Sequence, residues 1–141
     1  MNIADSLPQT DQTSDTVKKT LLLVDDDKRF LDMLGKFLQR EGIYNVVTCT
    51  DGNHLFDVAK KCNPDLILLD VLMPGRGGEE LINDLRDDVL LSKVPVIFLT
   101  GLLGASECND GIKKIGSCYF MAKSTNKDHL LVLIREKVFA A

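Results

Sequence analysis

Four short apolar runs in this chain each lead to a residue able to do chemistry. Leu21-Leu22-Leu23-Val24 halts at Asp25-Asp26-Asp27, and Leu66-Ile67-Leu68-Leu69 halts at Asp70. Val96-Ile97-Phe98-Leu99 ends at Thr100, and the run from Cys118 to Met121 is followed by Lys123. Brought to one rim, the set holds at least three carboxylates, one hydroxyl and one ammonium. Clustered carboxylates raise one another's pKa unless a cation joins them. Oxygen donors without His or Cys suit a hard divalent ion such as Mg2+. Lys123 adds a mobile point charge, and Thr100 a hydroxyl able to bond an incoming oxyanion. With both cations present, Asp70 becomes a candidate nucleophile toward phosphorus, giving an aspartyl phosphate.

The runs read as strands because amphipathic stretches separate them. Phe30, Leu31, Leu34, Phe37 and Leu38 recur at helical spacing, and Gly42 stands where such a helix would end. Val46-Val47-Thr48 is short and β-branched, so a strand is expected there. Further helical patterns carry Leu55, Phe56, Ala59 and Cys62, then Leu81, Ile82 and Leu85, and last Leu130, Leu131, Ile134 and Val138. Gly101 to Gly116 reads as the weakest helix of the chain. Five strands alternating with five helices predict a doubly wound α/β sheet. In such a sheet the ligand site lies beyond the carboxyl ends of the strands, where the polar endings gather.

The 141 residues suffice for one domain, with 45% hydrophobic and 27% charged. A net charge of −4 argues against gripping nucleic acid or an anionic membrane through bulk charge, so neither is expected as a partner. No apolar run approaches the ~20 residues of a membrane span. No secretory signal pattern opens the chain, so a cytoplasmic location is expected. Cys49, Cys62, Cys108 and Cys118 lack knuckle spacing and read as reduced thiols. Residues 1–19 read as a flexible leader and 20–141 as the folded domain.

On these motifs the chain resembles the receiver domain of two-component response regulators. The resemblance runs from about Thr20 to Phe139 through Leu22-Leu23-Val24-Asp25-Asp26, Pro64-Asp65-Leu66-Ile67-Leu68-Leu69-Asp70, Met73-Pro74, Gly78, Pro95-Val96-Ile97-Phe98-Leu99-Thr100 and Lys123. It implies a flavodoxin-like sheet of five parallel strands in the order 2-1-3-4-5. It also implies Mg2+ held by Asp25, Asp26, Asp70 and the backbone carbonyl of Leu72. Asp70 would accept the phosphoryl group, Thr100 would move toward it, and Lys123 would neutralise it. Phe120 would couple that event to the surface around the fourth helix, fifth strand and fifth helix. The implied donor is a sensor histidine kinase or phosphotransfer protein, and the target a further, unnamed protein. Such a domain catalyses only its own modification and is not an enzyme in the ordinary sense. The chain ends at Ala141 after the last helical pattern, so docking to another protein, or origin in a longer chain, is expected.

Blander readings stand beside these. Asp27 serves better as a helix cap than as a ligand, because Lys28 already starts the helix. His54 and His129 read as surface residues. Leu131-Val132-Leu133 and Phe139 read as mostly core, with a homodimer face left open. The rival functions are a receiver-like interaction module that is never phosphorylated and a small phosphohydrolase. Ser124 favours the first slightly, standing where the family usually has Pro. Leu72 opposes the second, standing where those hydrolases place an acid/base Asp. Leu72 and Leu102 also set apolar side chains beside the expected phosphoryl site, which predicts slow dephosphorylation. Leu72→Asn should shorten the phosphoryl half-life, read by following loss of the adduct; an unchanged half-life would refute that role.

Overall fold

The computed structural model describes residues 18–70, 78–100, 112–115, 118–123 and 127–139. In chain order the elements are β1 (Lys19–Val24), α1 (Lys28–Gln39), β2 (Tyr44–Cys49), α2 (Leu55–Cys62), β3 (Leu66–Asp70) and α3 (Gly78–Arg86). β4 (Val96–Thr100), β5 (Ile112–Ile115), β6 (Cys118–Ala122) and α4 (Lys127–Val138) complete them. One sheet contains every strand, in the order β2-β1-β3-β4-β6-β5. The first five of these run parallel, which is the expected 2-1-3-4-5 arrangement of a doubly wound sheet.

Alternation along β1 explains why both faces need helices. Leu21 and Leu23 face one core together with Leu31, Leu34 and Leu38 of α1 and Leu130, Leu133 and Ile134 of α4. Leu22 and Val24 face the other, with Leu55 and Ala59 of α2 and Leu81 and Leu85 of α3. Burial on both faces is the condition that turns a parallel strand into a continuous apolar run. Every residue of β3 is buried, including Asp70 at its end.

Local signals set the helix ends. Asp27 caps α1, its carboxylate accepting from Phe30 N–H at 3.2 Å, and Gly42 turns the chain back at φ 73°. Asp51 caps the short turn Gly52–His54 ahead of α2, its carboxylate accepting from Asn53 N–H at 2.9 Å. The expected leader overlaps β1 by one residue, Lys19.

The helix expected between Gly101 and Gly116 is corrected over residues 112–115, and residues 101–111 and 116 lie outside the described residues. Residues 112–115 form β5, antiparallel to β6, with Ile115 paired to Cys118. Gly111 and Gly116 bracket a four-residue run with β-branched Ile at both ends, too short for a helix. Gly116-Ser117, two residues between two such runs, is a hairpin signal.

A turn at Leu91–Lys93 feeds β4, and Asp88 ties it down. The Asp88 carboxylate accepts from Leu91 N–H at 3.0 Å and Leu90 N–H at 2.9 Å, and pairs with Lys60 Nζ at 3.1 Å. The bond from Leu91 N–H and the Lys60 ammonium hold this carboxyl below its ordinary range. A carboxyl depressed in the folded state adds stability above its unfolded pKa and loses it as pH falls through the folded value. Asp88→Asn should therefore flatten the acid side of the stability curve, with the wild type's advantage at pH 7 shrinking toward pH 3. Urea midpoints across that range check it.

Candidate functional site

Strand register builds the site. Val24 pairs with Leu69, so the next residues along, Asp25 and Asp70, emerge side by side from neighbouring strands. Asp70 in turn pairs with Leu99, which places Thr100 one step beyond, and Thr100 pairs with Ala122, just before Lys123. Four strand ends thus deliver the four residues to one rim, the crevice position of open α/β sheets.

Asp25 and Asp70 are both buried, at 2% and 6% exposure, while Asp26 is exposed. Carboxylate oxygens of the three lie within 4.8 Å of one another. Lys123 reaches over them, with Nζ 2.6 Å from Asp25 Oδ2 and 3.6 Å from Asp70 Oδ2. Burial pulls the Lys123 pKa down, but contact with Asp25 and the charges of Asp25 and Asp70 outweigh it. The net result is an ammonium held above its ordinary value. Asp25 Oδ1 accepts from Asp27 N–H at 2.9 Å. Its Oδ2 is shut off from solvent and makes no aligned hydrogen bond among the described residues, so the Lys123 contact there is one of charge.

That arrangement is chemically suited to a hard cation. Two buried carboxylates and one exposed one leave an excess of negative charge over a single ammonium. Oxygen-only donors and room for water on the Asp26 side match the preferences of Mg2+.

The other expected residues divide clearly. Asp27 caps α1 as read from sequence. Thr100 ends β4 at the rim. Phe120, half-buried on β6, pairs in register with Phe98 and stacks on it at 4.8 Å between centroids and 15° between planes. Leu72, Leu102 and Ser124 lie outside the described residues. His54 and His129 are exposed, and Cys49 and Cys62 are free thiols. One residue at the site was not anticipated. Phe30 of α1 lies beneath Lys123, with Nζ 4.7 Å from the ring centroid. In sequence it is one apolar position of a helical stripe, and only its distance of five residues from Asp25 hints at the rim.

Fold and rim together define a receiver-type architecture, and comparison with known proteins gives it a family. Residues 21–135 match the family model of the response regulator receiver domain. The chain belongs to that family, the receiver domains of two-component signalling. The DNA-binding response regulator MtrA of Mycobacterium tuberculosis is 30% identical over 124 residues, covering 88% of this chain and 52% of that protein. Among solved structures, the chemotaxis response regulator CheY4 of Vibrio cholerae is similar at TM-score 0.70 and 27% identity, covering 86% of this chain and 99% of that one. The response regulator TrrA of Thermotoga maritima, in complex with Mg2+ and BeF, is similar at TM-score 0.66 and 26% identity, covering 84% and 98%.

These relatives correct the expectation about partners. The acidic balance of the chain argued against nucleic acid, yet the curated relatives are DNA-binding response regulators. The chain spans about half of their length. Net charge describes only the residues counted, so it cannot exclude a DNA-binding role for a protein built around such a receiver. No helix among the described residues is long and apolar enough to cross a membrane.

The ion pair has a measurable weight. Lys123→Met leaves the Asp25 and Asp70 carboxylates buried without their ammonium. Because Lys123 keeps 24% exposure, the loss should be about 2 kcal/mol, between surface and fully buried pairs. Urea unfolding checks it.

Proposed function

We propose that the chain is a phosphorylation-controlled switch that takes a phosphoryl group onto Asp70 in the presence of Mg2+. The observation that carries this reading is the Lys123 ammonium set against two buried carboxylates, Asp25 and Asp70, at the carboxyl rim of the sheet. A donor with a good leaving group supports the step, the family pattern suggesting the phosphohistidine of a kinase or phosphotransfer protein. An Asp70 carboxylate oxygen attacks phosphorus as the bond to the donor nitrogen breaks, and the imidazole leaves with its electron pair and takes up a proton. The product is a mixed anhydride, an aspartyl phosphate.

Asp25, Asp26 and Asp70 are the side chains that would hold Mg2+, with the Leu72 carbonyl as a further ligand. When bound, Mg2+ offsets the negative charge of the incoming phosphoryl group. Lys123 already lies beside Asp70 and would follow one of the new oxygens. Thr100, at the end of the next strand, supplies the hydroxyl that would bond another. That last bond would draw the β4 end inward and bias Phe120, which stacks against Phe98 of the same strand. A cytoplasmic setting fits a donor of this kind. The alternative, an interaction module that is never phosphorylated, has Ser124 in its favour and the intact acidic cluster against it.

Incubation with acetyl phosphate and Mg2+, read by intact-protein mass spectrometry, decides between them. One phosphoryl adduct should form, requiring Mg2+ and disappearing in Asp70→Asn. Absence of an adduct, together with no stabilisation of the fold by millimolar Mg2+, would favour the interaction module.

A further inference from the structure

Resting on that reading, we propose that Phe30 is a positioning residue for Lys123, its ring acting as the platform that keeps the ammonium in reach of Asp70. Three contacts surround the ammonium: Asp25 Oδ2 at 2.6 Å, Asp70 Oδ2 at 3.6 Å and the Phe30 ring centroid at 4.7 Å. The first two supply charge. Neither fixes a direction, because Lys has a flexible four-carbon stem and rotatable donors. The ring closes the remaining side. It also belongs to the same local structure as the carboxylates. Asp27 follows the acidic pair directly and accepts from Phe30 N–H at 3.2 Å, so one cap sets the first turn of α1 and the place of the ring.

The surroundings explain why an aromatic is required. Phe30 and Lys123 line a small cavity with Leu34, Leu99, Met121 and Leu130, all apolar. Lys127, a second cation, lines it as well and offers Lys123 no acceptor. In that setting a π face attracts the ammonium, and attraction of this kind grows as water is excluded. A Leu of similar reach would fill the space without attracting the charge. Removing the ring should let Lys123 settle on its nearer partner, Asp25, and leave Asp70 less well served when a phosphoryl group arrives.

The test compares wild type with Phe30→Leu, Phe30→Met and Phe30→Tyr, all in the full chain. With acetyl phosphate at saturating Mg2+, phosphorylation should slow about threefold to tenfold in the Leu and Met variants and recover in the Tyr variant. Independently of that reaction, proton NMR of the metal-free wild type should show the Lys123 Cε protons shifted upfield by the ring. The shift should vanish in Phe30→Leu and persist in Phe30→Tyr, with Lys123→Met identifying the signal. Wild-type rates in the Leu variant, a Tyr variant as slow as Leu, or unshifted Cε protons in the wild type would each overturn the proposal. The last needs no variant to fold. No adduct on the wild type would bring down the receiver reading, and the positioning role with it. Normal uptake by wild type and Phe30→Leu alike would bring down the positioning role alone.

Discussion

Two carboxylates buried in the carboxyl rim of a parallel sheet set the terms for the rest of this structure. Asp25 and Asp70 are nearly out of water, one strand apart, and neither would be stable there as an isolated charge. Their burial follows from the strands that carry them, since β1 and β3 are apolar on both faces and must be covered on both. The helices needed to cover those faces come from crossovers that return every strand in the same direction. Parallel direction, in turn, is what places all the strand ends that carry polar residues on one side. The charge problem and its solution therefore have one origin. Lys123 reaches the pair from β6, two strands away from β3, and only a sheet of this order brings it there.

Most of this arrangement was legible in the sequence, because it obeys a simple rule: apolar run, then polar end. Asp25, Asp70, Thr100 and Lys123 each sit at such a junction, and the strand order brings the junctions together. The cap role of Asp27 was legible for a different reason, as an acidic residue just before a basic residue that opens a helical stripe. Phe30 was not. A side chain on a helical stripe is ordinarily a core residue, and nothing in its spacing tells that a lysine some ninety positions later will lie over its ring.

Two misreadings have physical causes as well. The segment after Thr100 was read as a helix because the alternation of the chain called for one there. Glycines on both sides of Ile112–Ile115 and the Gly116-Ser117 pair carry the contrary local signal, and over residues 112–115 the local signal prevailed over the pattern. The exclusion of nucleic acid failed for another reason. Net charge measures attraction at the surface of the residues counted, whereas a receiver's consequences are exerted through whatever it is coupled to. Membership of the family therefore says more about the site than about the output.

The Phe98–Phe120 stack holds the Phe120 ring against the neighbouring strand. Rings offset-stacked at this distance add about 0.5–1.5 kcal/mol beyond burial. That is roughly a twofold to twelvefold bias toward the stacked rotamer. On the switch role proposed for Phe120, an output read through that ring would have to break the stack, and the contact would then set a threshold for signalling. On that reading, a receiver with this pair would trade sensitivity for silence, at a rate set by the geometry of two adjacent strands.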